Sequence, residues 1–276
     1  MKILYLTDLH GCNWKYDYIF ETAQKFKAKV VINGGDMLPK TANTDAQKQF
    51  ISDYLDNHFK RFNAAKIYYL CYLGNDDLRI FDEVFELTCN QYPYVINLAQ
   101  RKFEIEGYEF VGMNWVVDYP FRLKDRCRMD TKDYRFQEQF GTGLLSTPGG
   151  WKEIKDWFAY ARTMPTIEDE LRRLVRPKKM TQCVYVFHMP PHKLGLDKCA
   201  QGSEVGSKAI YNFLKINQPK LSLHGHIHES PEFSGKWHNQ LGTTICIQPG
   251  QRSPFTYVTI DLQTMQFDRH VIKTKI

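Results

Sequence analysis

Residues 2 to 10 read KILYLTDLH, and the order of residue types in this stretch decides the fold. Lys2 to Thr7 is an apolar run of strand length, and Asp8 and His10 follow it at once. Tyr16, Ile19, Phe20, Ala23 and Phe26 then recur at helical spacing, and Val30-Val31-Ile32 is a second strand that ends at Gly34-Gly35-Asp36. Strand, helix and strand in this order form a β-α-β unit, which implies a parallel pair.

The pattern extends in both halves of the chain. The spacing predicts a helix from about Asp45 to Phe62, capped by Thr44, with Phe50, Tyr54, Leu55, His58 and Phe59 on one face. It leads to the strand Ile67 to Leu73 and to Gly74-Asn75-Asp76-Asp77. Later, Cys183 to Phe187 is a strand ending at His188, Ser207 caps a helix through about Asn217, and Leu221 to Leu223 precedes His224-Gly225-His226-Ile227-His228. Lys102 to Ile105 and Tyr108 to Met113 flank Glu106-Gly107 as a hairpin, and Thr243 to Ile247, Thr256 to Asp261 and Met265 to Ile272 form a closing strand series. The expected class is α/β, with two sheets stacked face to face and helices outside. The stretch from Asn114 to Lys179 differs, with Pro148-Gly149-Gly150, three tryptophans and a helix from Thr166 to about Val175 that Pro177 ends. It reads as an insertion, 114–180, within a single 1–276 domain, packing over the sheet ends or the site rim. Its basic groups, Arg122, Lys124, Arg126 and Arg128, then Arg172, Arg173, Arg176, Lys178 and Lys179, read as solvated faces without a site role.

Composition narrows the classes. With 276 residues, 43% hydrophobic and 25% charged, the chain suits one elaborated globular domain and argues against disorder or repeats. The net charge of +6 is spread along the chain, which favours anionic substrates without demanding nucleic acid, and no basic, aromatic track for a nucleic-acid strand is legible. Seven cysteines without a C-x-x-C pair read as reduced thiols. A strand at the second residue leaves no room for a signal peptide, and no apolar run reaches membrane-spanning length. A cytoplasmic protein with no membrane partner is the expectation.

The five post-strand pieces carry the chemistry. In open α/β sheets ligands bind beyond the carboxyl ends of strands, so one rim can gather Asp8, His10, Asp36, Asn75, His188, His226 and His228. Such Asp, Asn and His ligands suit two divalent ions, manganese first, with iron or zinc also fitting. Each piece alone is an ordinary turn; the ordered set is specific. It resembles the calcineurin-like metallophosphoesterases, whose pattern is D-x-H, G-D, G-N-H-[DE], H and G-H-x-H, from Asp8 to His228. HMPPHKLGLD at 188–197 and HGHIHE at 224–229 also resemble a bacterial and archaeal branch of that family. The resemblance implies a β-sandwich edged by helices. It also implies one metal on Asp8, His10, Asp36 and His228 and a second on Asp36, Asn75, His188 and His226. A water shared by two such ions, aimed at phosphorus, makes phosphate ester hydrolysis the implied reaction.

One position departs from the family pattern. Asp76 stands where the pattern carries a histidine that the family is taken to use on the leaving oxygen or the transition state, while Asp77 matches the acidic position after it. An aspartate, ionised at neutral pH, donates protons poorly and repels a doubly charged monoester, so the expectation is a phosphodiesterase acting on a small phosphorylated molecule or nucleotide. Asp76 and His192 are the candidates for catalytic groups beyond the metal ligands. His224 could support the ligands, Cys12 could fill space, and Asn114-Trp115 could line a substrate cleft. A monoesterase, a nuclease or nucleotide pyrophosphatase with the same site, and a metal-binding scaffold without activity remain as alternatives. A protein Ser/Thr phosphatase ranks lower, because Gly35-Asp36-Met37-Leu38-Pro39 lacks the arginine of that branch.

Overall fold

In a computed structural model, which describes residues 1–41, 44–252 and 254–273, two six-stranded sheets stack with helices on their outer faces. The first half runs β1 (Lys2–Leu6), α1 (Asn13–Phe26), β2 (Val30–Asn33), α2 (Thr44–Gln49), a π-helical turn (Phe50–Leu55), α3 (Asp56–Ala65), β3 (Tyr68–Cys71), α4 (Asp82–Asn90) and β4 (Val95–Asn97). A hairpin of β5 (Lys102–Ile105) and β6 (Tyr108–Met113) follows. Then come β7 (Val116–Val117), β8 (Cys127–Arg128), β9 (Gly143–Thr147), β10 (Gly150–Ile154), α5 (Trp157–Arg162) and α6 (Ile167–Arg173). The chain closes with β11 (Cys183–Phe187), α7 (Lys208–Asn217), β12 (Leu221–Leu223), α8 (Ser230–Ser234), β13 (His238–Leu241), β14 (Thr244–Ile247), β15 (Phe255–Asp261) and β16 (Gln266–Ile272).

The sheet orders are β16-β15-β1-β2-β3-β4 and β13-β14-β12-β11-β6-β5. The run β1 to β4 is parallel, as is the run β14-β12-β11-β6, and antiparallel strands edge both. Both faces of each sheet are covered, which is why the strands read as nearly unbroken apolar runs. In β1 the period of two is plain. Ile3 and Tyr5 enter the layer between the sheets with Val184, Val186 and Leu223, while Leu4 and Leu6 face Ile19, Phe59 and Phe62 under the helices. The helix expected over 45–62 spans 44–65 as α2, the π turn and α3, and ends where Lys66 turns left-handed at φ 53°.

Among the described residues, no helix is long and apolar enough to cross a membrane. The 114–180 stretch lies on the outer face of the second sheet, where Trp157, Ala161, Ile167 and Leu171 share an apolar cluster with Tyr185, Phe187 and Phe213. The helix expected from Thr166 to about Val175 is α6; Thr166 caps it with a reciprocal box to Asp169, and it stops at Arg173 because Leu174 is already extended. The solvated-face reading holds for the exposed Arg172, Arg173, Arg176, Lys178 and Lys179. It fails for Lys124, Arg126 and Arg128, all buried. Lys124 donates to Asp118 at 2.8 Å, Arg126 pairs with Asp82 at 2.5 Å, and the Arg128 guanidinium lies 3.8 Å from the centre of the Trp115 ring. Cations of this length are buried when such partners replace water.

Candidate metal centre

The carboxyl ends of the parallel strands of both sheets meet at one rim. The loop after β1 is tied to the loop after β2 by Asp8 N–H to Gly35 O at 2.9 Å and His10 N–H to Asp36 O at 3.0 Å. The second sheet joins across the sandwich, with Tyr5 Oη donating to His224 O at 2.7 Å and His226 N–H donating to the Asp8 carboxylate at 3.2 Å. Asp8, His10, Asp36 and His226 all take left-handed backbone, with φ of 57°, 46°, 51° and 68°. Asp and His tolerate this region better than most residues, and strained turns of this kind collect at functional sites. Two glycines permit the close approach. A Cβ on Gly74 would lie 2.2 Å from the Asp36 backbone nitrogen, and one on Gly225 would lie 2.2 Å from Thr7 Oγ1.

Asp8, His10, Asp36 and His228 offer ligand atoms that all lie within 4.8 Å of one another. His10 Nε2 and His228 Nε2 are 3.2 Å apart, and His228 Nε2 is 3.4 Å from Asp8 Oδ1. A second gathering adjoins it. His188 Nδ1 donates to Gly34 O at 2.7 Å, which turns Nε2 inward, to 2.8 Å from Asn75 Oδ1 and 3.4 Å from Asp36 Oδ2. His226 Nδ1 is 2.6 Å from the same Asn75 oxygen. Asn75 Nδ2 donates to Asp76 Oδ1 at 3.0 Å, so Asp76 fixes the amide with its oxygen toward the two imidazoles.

The electrostatics are those of a cation-seeking pocket. Burial alone would raise Asp8 and Asp36, but His228 and His188 respectively outweigh it and hold both carboxyls below the ordinary range. Burial would lower His188, yet the Asp36 and Asp8 carboxylates push it up to about 9. Burial lowers His10, and it pushes His226 down to about 3, leaving neutral imidazoles with free electron pairs. Carboxylates, an amide oxygen and neutral imidazoles converging without enough protons to share are the donor set of a divalent ion, so these residues fit one.

Asp77, matched above only as an acidic position, braces this arrangement. It is fully buried and accepts N–H groups from Met37 at 2.9 Å, Leu38 at 2.8 Å and Gly74 at 2.7 Å, clamping the loops after β2 and β3 together. Lys40 escapes a reading of the sequence. Its Nζ lies 2.8 Å from Asp76 Oδ2, and its place four residues past Asp36 is the one available signal. His192 is turned elsewhere, with Nδ1 3.2 Å from Asp197 Oδ2, and does not line the cleft beside the centre. His224 is buried behind the rim, with Nδ1 donating to Met189 O at 3.1 Å. Asn114 anchors the loop after β3 through Leu73 O at 2.7 Å, and Cys12 is half-buried at the start of α1.

The profile of the calcineurin-like phosphoesterase family matches residues 1–230. The chain belongs to this family. No curated protein sequence matches it. Among solved structures, one aligns over 98% of this phosphoesterase and 98% of its own chain, with a TM-score of 0.63 at 15% identity. A second, the protein TT1561 of Thermus thermophilus, aligns over the same shares with a TM-score of 0.59 at 17% identity. A novel archaeal phosphodiesterase covers 99% of this chain and 100% of its own at 0.47 and 11%. At these identities the likeness is one of fold. Family membership supports a phosphoric ester hydrolase, and Asp8, His10, Asp36 and His228 form a candidate metal site.

Proposed function

We propose that this phosphoesterase holds two divalent ions, manganese by preference, and cleaves phosphodiester bonds in a small molecule or nucleotide. The observation that carries the reading is the position of Asp36. Its Oδ2 is 4.0 Å from His10 Nε2 on one side and 3.4 Å from His188 Nε2 on the other, so one carboxylate can serve both sets. Asp8, His10, Asp36 and His228 would hold the first ion, and Asp36, Asn75, His188 and His226 the second. Such ions, when bound, lower the pKa of a shared water and neutralise charge on the phosphoryl oxygens.

The chain's own side chains supply position and charge. Asp77 sets the loops, and Asp76 orients the Asn75 oxygen. Lys40, at the cleft wall, can meet a phosphoryl oxygen or steady the leaving oxygen as its bond to phosphorus breaks. Paired with Asp76 it adds no net charge, so the second charge of a monoester gains nothing there and a diester is favoured. The 114–180 insertion, in this reading, shapes the substrate side of the cleft.

The test is purified protein with manganese, assayed for bound metal and for turnover of bis-p-nitrophenyl phosphate against p-nitrophenyl phosphate. Two ions per chain, preference for the diester and loss of activity in Asp36→Ala are expected. Preference for the monoester would overturn the diester assignment, and full activity of Asp36→Ala would overturn the shared carboxylate.

A further inference from the structure

A cleft of about 810 Å³ opens beside the candidate metal residues. Its lining includes Asp36, Asn75, His226 and His228 with Lys40, and the aromatic rings of Phe121, Phe140 and Trp151. These three rings are 63%, 66% and 46% exposed, large apolar side chains left in water around one cleft. Phe121 and Phe140 meet edge to face, with centroids 5.5 Å apart at 82°. Tyr119 links them to the metal end, its ring 5.8 Å from Phe121 and 5.8 Å from His226.

The wall is built, not draped. Phe140 N–H donates to Pro120 O at 2.9 Å and Leu144 N–H to Arg122 O at 2.7 Å, locking the two ring-bearing loops together. Beneath them Asp118 accepts from Lys124 and from Trp157 Nε1, each at 2.8 Å, and Lys124 also donates to Tyr119 O. An aromatic surface held rigidly near a phosphate-binding end is suited to a planar ring joined to that phosphate. Gln137, Gln201 and Ser203 border the same cleft and can hydrogen-bond the edge of such a ring.

We propose that the substrate's organic part is a nucleobase, stacked on Phe121 and Phe140 while the phosphoester lies at the candidate metal residues and Lys40. This rests on the phosphodiester reading above, and the test separates the two. Three manganese-assayed esters share one leaving group: methyl, octyl and thymidine 5′ esters of p-nitrophenyl phosphate. We expect kcat/KM for the thymidine ester to exceed that for the methyl ester by about tenfold or more, the scale of one base stacked on aromatic side chains, and the ratio to fall toward one in the Phe121→Ala/Phe140→Ala variant. A ratio unmoved by the variant, or an octyl ester preferred to thymidine, would overturn the proposal.

Calorimetric binding of thymidine 5′-monophosphate against methyl phosphate supplies a readout independent of turnover, with the same tenfold gain lost in the variant. If no ester is hydrolysed but that gain is present, the hydrolase reading fails and the base site stands. If esters are hydrolysed without any gain, the base site fails and the hydrolase reading stands.

Discussion

Two regions of this molecule bury charge, and they do so in opposite ways. In the 114–180 stretch each buried cation has its own partner: Lys124 has Asp118, Arg126 has Asp82, and Arg128 has the Trp115 ring and Glu170 at 3.7 Å. At the rim, Asp8, Asp36, His10, His188, His226 and His228 face one another with too few protons to go round, and His10 Nδ1 is buried without a hydrogen-bond partner among the described residues. A network in which each cation is paired with its own counter-charge or ring supports the fold. An unsatisfied one is kept for something that arrives from outside.

The comparison breaks first at Lys124. Lys124→Met keeps the volume but leaves the Asp118 carboxylate buried without its cation, and the expected loss is about 3–5 kcal/mol, read by urea unfolding. A loss under about 1 kcal/mol would mean that this charge is not paired as described. The second effect should be about 2.7 kcal/mol and belongs to the rim. Manganese at a hundredfold excess over its Kd should stabilise the native protein by that amount for each ion bound, and Asp36→Ala should abolish the gain. A manganese gain of native size in Asp36→Ala would remove Asp36 from the cation site.

How far each region could be read from the sequence follows from the same contrast. Asp8, His10, Asp36, His188, His226 and His228 stand immediately past apolar runs, so their position on one rim follows from local pattern and the parallel β-α-β rule. The period of two in KILYL likewise fixes which side chains enter the layer between the sheets. The burial of Arg126 and Arg128 was hidden because their partners are remote: Asp82 lies 44 positions from Arg126, and a charge run without local partners reads as a wet surface. The left-handed backbone at Asp8, His10, Asp36 and His226 was equally hidden, since only glycine announces that conformation. Asp77 was legible as an acid but not as a clamp, because its three N–H donors come from two separate loops.

His58 sharpens the contrast as a third case, a buried titratable group away from both networks. It sits fully enclosed among Tyr16, Phe62 and Tyr69, and neither ring nitrogen is hydrogen-bonded to any described residue. Burial pushes its pKa down to about 3, against about 6.5 in an unfolded chain. Above pH 6.5 it is neutral in both states and costs nothing. Between 6.5 and 3 the unfolded chain takes up a proton that the folded one refuses, so stability falls as pH falls, by about 2 kcal/mol at pH 5. His224 and His226, also pushed down to about 3, add similar slopes, so the quantity to measure is the difference between native protein and His58→Leu in urea unfolding at pH 5 and 7.5. The variant should lose about a third of the combined acid sensitivity of the three histidines. An unchanged slope would place the effect elsewhere.

The smallest effect on stability is expected at Lys40, and it tests the function most directly. Lys40 is 69% exposed, and an exposed ion pair contributes about 0–1 kcal/mol, so Lys40→Ala should leave the unfolding midpoint nearly unmoved. The pair differs from Lys124–Asp118 in that its energy is not in the fold. Removing the lysine leaves the Asp76 charge uncompensated beside the centre, where it repels a dianionic monoester more than a monoanionic diester. The ratio of diester to monoester kcat/KM should therefore rise in Lys40→Ala, and Lys40→Arg, which keeps the charge, should hold it near the native value. If both rates instead fall together and the ratio stays fixed, Lys40 acts on the leaving oxygen common to both substrates and charge balance at Asp76 does not set the preference.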